Sequence, residues 1–74
     1  MKNRIEIDPK VMAGKPVIKG TRIPVYLILD LLAAGKGTEE ILKEYPNLRE
    51  EDVVAAIEYA SGLLKREEIL KAEV

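Results

Sequence analysis

The spacing of apolar residues changes near residue 23, from the two-residue period of a strand to the period of a helix. Ile5 and Ile7 alternate with charged residues, and a second β-branched pair follows after a turn. These patterns predict two short strands, near residues 4–7 and 16–19, that form a hairpin arm. Because a two-stranded ribbon is unstable alone, we expect the arm to pack on helices or on another chain.

Three helical segments are predicted after the arm. Pro24 suits the first position of the first helix, where a missing N–H costs nothing, and Gly35 suits the position just past its end. Thr38 is expected to cap the second helix, which Pro46 ends. Asn47 and the acid three residues later have capping-box spacing, which predicts that the third helix is capped at Asn47 or one or two residues later.

The third helix carries apolar residues at helical spacing, which predicts the face that enters the core. We divide the chain into a domain of residues 1–62 and an amphipathic tail of residues 63–74, either a continuing helix or a frayed end. The predicted fold is mainly α, with a small β-hairpin arm before a three-helix, helix-turn-helix core. The predicted core face of the third helix comprises Val53, Val54, Ile57, Ala60 and Leu64.

The composition limits how much core the chain can build. It has 74 residues, and cysteine, tryptophan and phenylalanine are all missing. No disulfide can form, and the core must be aliphatic. The first helix is apolar on most sides and must therefore be covered on most sides. We expect a homodimer, because a second copy would cover apolar surface that one small chain leaves open.

Charge is divided unevenly along the chain. Residues 1–22 hold six bases and two acids, whereas residues 23–74 hold six bases and eleven acids. This split indicates either a polar partner for the basic arm or pairing between subunits, and the alternative is an unevenly charged solvated surface. We find neither a signal peptide nor an apolar run of about 20 residues, so we expect a cytoplasmic protein without a membrane anchor.

Two segments are candidates for binding DNA, namely the second helix of the predicted helix-turn-helix and the basic arm. A helix-turn-helix normally reads the major groove with its second helix, but that helix begins Arg49-Glu50-Glu51-Asp52, whose acids would repel phosphates.

The arm is the better candidate for DNA binding. Its Lys15, Lys19 and Arg22 could contact phosphates, since β-ribbons can enter a groove. In the alternative interpretation, Arg22 pairs with a carboxylate such as Asp30 or Glu58.

Catalysis lacks the usual residues. The chain has no histidine to act as general base, and the adjacent acids of residues 50–52 point in different directions on a helix. The helix dipole accounts for these acids without a metal. We therefore expect no catalytic residue, cofactor, metal or small-molecule substrate.

One segment carries a family resemblance. Residues 14–25 read Gly-Lys-Pro-Val-Ile-Lys-Gly-Thr-Arg-Ile-Pro-Val, and a Tyr-Pro-Asn-Leu run follows at residues 45–48. These motifs resemble the domain of unknown function family 433, over residues 4–61. The resemblance implies a β-arm, three helices arranged as in a homeodomain, and similarity to antitoxins that neutralise PIN-like ribonuclease toxins. Arg49 departs from the pattern, since many members appear with Ser or Thr as the cap there.

The resemblance also indicates how a partner would bind. Antitoxins commonly wrap a toxin with their C-terminal segment, so Leu63, Ile69 and Leu70 are candidate contacts with a PIN-like toxin. Alternatively, the tail covers this protein's own core or dimer. Three functions follow as hypotheses: an antitoxin that also binds its promoter DNA, a DNA-binding repressor without a toxin, and a purely structural dimerisation module.

Overall fold

The fold is an arm of two strands followed by three helices, as predicted. In a computed structural model, the backbone is described for residues 4–72 and the side chains for residues 4–66. The elements are β1 (Ile5–Glu6), β2 (Val17–Ile18), α1 (Val25–Ala33), α2 (Thr38–Glu44) and α3 (Glu50–Ala72).

The arm is held by the helices rather than by its own short ladder. β1 and β2 are antiparallel, with Ile5 opposite Ile18 and Glu6 opposite Val17. Val17 and Ile18 are both fully buried, so β2 supplies the arm's anchor in the core. The expectation that the ribbon packs on other elements is confirmed. The connection contains a left-handed turn, Met12–Gly14, in which even the non-glycine residues have positive φ.

The ends of α1 follow from two backbone-restricting residues. The prediction that Pro24 is the first helical residue is wrong by one position: Pro24 is the N-cap, with extended ψ of 150°, and bridges to Val17. At the other end Gly35 has a φ of 92°, and its N–H donates to the Leu32 carbonyl. The Lys36 N–H donates to the Leu31 carbonyl, which completes a Schellman motif and confirms the predicted stop.

The cap of α2 lies one residue before the predicted one, and the cap of α3 lies within the predicted range. Gly37, not Thr38, is the N-cap of α2, and its N–H donates to Glu40 Oε1 at 2.9 Å. Arg49, two residues after Asn47 and within the predicted range, precedes α3, and its N–H donates to Asp52 Oδ2 at 2.9 Å. In both helices an acid in the first turn reaches back to an N–H that the helix leaves free, so the cap itself need not be Ser or Thr.

The core is one aliphatic cluster to which every helix contributes. Ile28 of α1, Ile41 of α2 and Ala56 of α3 are completely buried beside Ile18 of the arm. Leu48 of the α2–α3 connection closes the cluster. The predicted aliphatic core is confirmed, and it is small because each helix commits only one to three side chains to it.

An ion pair joins the arm to the start of α3. Arg4 Nη1 lies 3.0 Å from Asp52 Oδ1, while Asp52 Oδ2 accepts the Arg49 N–H. The Asp52 side chain is 8% exposed and the Arg4 side chain 28%. Both carboxylate oxygens are therefore occupied, one fixing the arm and the other fixing the helix start.

We predict that Asp52→Asn lowers the free energy of unfolding by about 1–3 kcal/mol, because a part-buried charged hydrogen bond loses one of its charges. Urea unfolding measures the change. Glu51→Gln removes an exposed acid from the same first turn and should cost no more than about 0.5 kcal/mol. Equal effects of the two substitutions would contradict the anchoring role of Asp52.

Candidate partner-binding groove

Three residues predicted for the core face of α3 lie at the surface instead. Val54 is 49% exposed, Ile57 46% and Leu64 58%, so the prediction was wrong for them. Val53 of the same stripe is buried, and Ala56 is completely buried. The reason is packing: the buried face of α3 is centred on residues 52–56, and the helix continues past the other elements. The spacing of apolar residues identified an apolar stripe on α3, but it did not indicate which of these residues other elements cover.

Two shallow depressions between α1 and α3 make this exposed surface concave. Their volumes are about 290 and 360 Å³. Leu29 and Ala60 line both, so we treat them as one feature, the α1–α3 groove. Its main apolar lining consists of Tyr26, Leu29, Ile57, Ala60, Leu63 and Leu64.

Lysines supply the charge of the α1–α3 groove. Lys15 of the arm lines one depression and Lys65 of α3 lines the other. The Lys15 ammonium lies 5.3 Å from the centre of the Tyr26 ring, within cation–π range. No acidic side chain lines either depression within residues 4–66. A ligand with apolar side chains and acidic flanks would suit this lining.

The predicted partner-binding residues fall in two regions of the structure. Leu63 is 45% exposed and lies in the α1–α3 groove, beside Tyr26 and Leu29. The helical backbone of α3 continues through Ile69 and Leu70, but their side chains lie outside the described residues. The helix also runs without interruption across residues 62 and 63. The division of the chain at that position stays a prediction.

The predicted DNA-binding residues are all on the surface. Lys15, Lys19 and Arg22 are exposed, and Lys15 also belongs to the α1–α3 groove. The alternative ion pair of Arg22 with Asp30 or Glu58 is wrong, since within residues 4–66 the ion pair is that of Arg4 with Asp52. Arg22 lies exposed in the bend that follows β2.

Sequence reasoning missed Tyr26, Leu29 and Lys65 as groove residues and Asp52 as a structural anchor. The first two sit three residues apart on α1, and this spacing was visible, but core and surface leucines share it. Asp52 resembled its neighbours Glu50 and Glu51 in sequence and differs from them only in burial. Only the packed position of the arm distinguishes them.

The described part of the chain offers neither a metal-ligating cluster nor a membrane-spanning helix. No group of three or more histidine, cysteine or acidic side chains there could hold a metal ion. None of the helices described is both long enough and apolar enough to cross a membrane.

Comparison with known proteins identifies the family. Residues 5–60 match the model of the family described as protein of unknown function (DUF433). The chain belongs to the DUF433 family. A crystal structure of a DUF433 member from Anabaena variabilis superposes with a TM-score of 0.80 and 34% sequence identity, covering 96% of this chain and 70% of that one. The match includes the arm and the helices that line the groove.

Two relatives are similar in sequence. Uncharacterized protein y4eO of Sinorhizobium fredii is 40% identical over 55 residues, which are 74% of this chain and 25% of that protein. An uncharacterized protein of Archaeoglobus fulgidus is 77% identical over 22 residues, which are 30% of this chain and 61% of that protein. The DUF433 chain thus spans about a quarter of the first relative and three fifths of the second.

We predict different costs for truncating a core residue and a groove residue. Ile28→Ala should lower the free energy of unfolding by about 2–5 kcal/mol, because it opens a cavity in the closed cluster. Leu64→Ala removes a similar volume from an exposed position and should cost about 0.5 kcal/mol or less in the monomer. Urea unfolding at low protein concentration measures both, and equal costs would show that Leu64 is covered by its own chain.

Proposed function

We propose that this DUF433 chain is an antitoxin-type binding protein of the cytoplasm. It acts as a non-catalytic homodimer that takes up a second polypeptide, a PIN-like ribonuclease toxin, at the α1–α3 groove and the C-terminal end of α3. The observation that carries the proposal is the groove itself, apolar, open and lined by helices. The family resemblance supplies the kind of partner.

The groove is more than the scattered apolar exposure of an ordinary surface. Leu63 and Leu64 are 45% and 58% exposed on α3, and Tyr26 is 47% exposed on the facing helix α1. A contiguous apolar surface of this kind marks an interaction site in a soluble protein. Its length along two helices suits an amphipathic helix, which presents side chains every three or four residues.

The homodimer is supported by apolar surface that α1 leaves partly open. α1 buries only Val25 and Ile28 completely or nearly so, while Leu29, Leu31 and Leu32 remain partly exposed. A second copy would cover this surface and add the apolar burial that a 74-residue chain lacks. The arm takes part as well, since Lys15 and Pro16 line the groove beside α1.

Capture from the native host tests the toxin. The immobilised full chain should retain a small nuclease-like protein, identified by mass spectrometry, whose expression alone stops growth. Leu64→Glu should reduce the retained amount at least tenfold, because it places a charge in the apolar groove.

Ile7→Glu is the matched control. Ile7 is as exposed as Leu64, at 58%, and lies outside the groove lining, so capture should be unchanged. Recovery of the homodimer alone, together with a harmless neighbouring reading frame, would contradict the antitoxin proposal. It would leave the DNA-binding repressor and the purely structural dimerisation module as the remaining explanations.

A DNA-binding repressor is the second candidate function. The observation that favours it is the exposure of Lys15, Lys19 and Arg22 on and beside the arm, where phosphates could reach them. The start of α3 does not favour it, because Glu50 and Glu51 are exposed there. The arm is thus the DNA-contacting element in this proposal.

Binding to the DNA upstream of the coding region should fall steeply with salt. Replacing Lys15, Lys19 and Arg22 by Ala should abolish the shift at low salt and flatten the salt dependence by about one unit of log–log slope per lost phosphate contact. Gel shifts across a salt series measure this. The control replaces Lys36 and Lys43, exposed bases near α2. An equal loss in the control, or no shift at all in the wild type, would contradict a DNA-binding arm.

A further inference from the structure

We propose that two copies of the chain exchange the C-terminal ends of α3, so that residues 67–74 of each copy occupy the α1–α3 groove of the other. The inference rests on the homodimer of the proposed function and specifies its geometry in the absence of a toxin, which would take up the groove by displacing the exchanged end. Its basis is an apolar groove lined by lysines together with a segment of complementary composition, residues 67–74.

The groove offers apolar surface between two positive charges. Lys15 lines one of its depressions and Lys65 the other, and both lysines are exposed. The rest of the lining is mainly apolar and includes three leucines together with Tyr26, Ile57 and Ala60. An occupant with apolar and acidic side chains would bury its apolar side chains in the groove and pair its acids with the lysines.

The C-terminal segment has the composition that such an occupant needs. Residues 67–74 hold three acids, Glu67, Glu68 and Glu73, against one base, Lys71. Its apolar residues are Ile69, Leu70, Ala72 and Val74. The backbone is helical through Ala72, so the segment is the end of an amphipathic helix.

The segment cannot fill the groove of its own chain. α3 is one continuous helix from Glu50 to Ala72, and its residues Ile57 to Lys65 form one wall of the groove. The end of a straight helix points away from its own wall, and the seven residues after Lys65 carry it roughly 10 Å further along the axis. It can therefore reach only the groove of another molecule.

A two-fold axis lets both grooves be filled at once. Each copy has one groove and one helix end, so mutual exchange closes the assembly at two and leaves neither site free for a third copy. Direct contact of groove with groove would instead bring the lysines of both copies together. Like charges across an interface weaken it, so the charges favour exchange over that arrangement.

Charge reversal on each side of the contact tests the exchange with the full chain. One variant carries Glu67→Lys and Glu68→Lys at the helix end, and the other carries Lys15→Glu and Lys65→Glu at the groove. Each variant alone should dissociate at least tenfold more readily than the wild type at low salt, because both of its contacts place like charges together.

The equimolar mixture of the two variants is the decisive measurement. In a heterodimer of the two variants, a basic end meets an acidic groove and an acidic end meets a basic groove, so both contacts are restored. Sedimentation velocity should show the mixture dimeric while each variant alone is largely monomeric. A variant with Lys36→Glu and Lys43→Glu, which matches the charge change of the groove variant, should dimerise like the wild type.

The outcomes separate the exchange from the proposed function. If both single-side variants remain as dimeric as the wild type, or if their mixture gives no heterodimer, the exchange is wrong while the homodimer stands. If the wild type is itself monomeric, both the exchange and the homodimer fail. Toxin capture by the wild type is measured separately and still decides the antitoxin proposal.

Discussion

The structure depends on a shortage of apolar side chains. One cluster, centred on Ile18, Ile28 and Ile41, has to hold an arm and three helices together, and it contains no aromatic ring among its fully buried members. With so small a cluster, α1 and α3 cannot be covered on all their apolar sides. Part of the surface left over is concentrated in the α1–α3 groove, where Tyr26 and Leu29 of α1 lie beside Leu63 and Leu64 of α3. The feature that limits the stability of the isolated chain is therefore also its candidate binding site.

The arm shows how a minimal element is held in place by the rest of the fold. Its two strands have only two residues each, and their hydrogen bonds alone would not keep them paired. Burial of Val17 and Ile18 fixes one strand, and the pair of Arg4 with Asp52 fixes the other to α3. Because Lys15 follows the turn of this arm and lines the groove, the same anchors set the position of a charge at the binding surface.

The order and number of the elements could be predicted from the sequence, because proline, glycine and the change of apolar period mark them directly. The cap of α2 was misplaced by one residue and that of α3 was predicted only to within two residues, since the acids Glu40 and Asp52 stabilise the helix starts from the third helical position instead of the cap. The groove could be predicted only in part. The excess of apolar residues on α1 was visible, but Val54, Ile57 and Leu64 were assigned to the core because periodicity carries no information about which stripe a small fold can cover.

If the exposed apolar surface is the functional one, it has to be covered by another polypeptide. The most direct test uses the wild-type chain. Sedimentation equilibrium over a micromolar concentration range should give a folded species of twice the 8.3 kDa chain mass, dissociating on dilution. A folded species of 8.3 kDa at every concentration, with Tyr26 and Leu29 still exposed to solvent, would contradict the account.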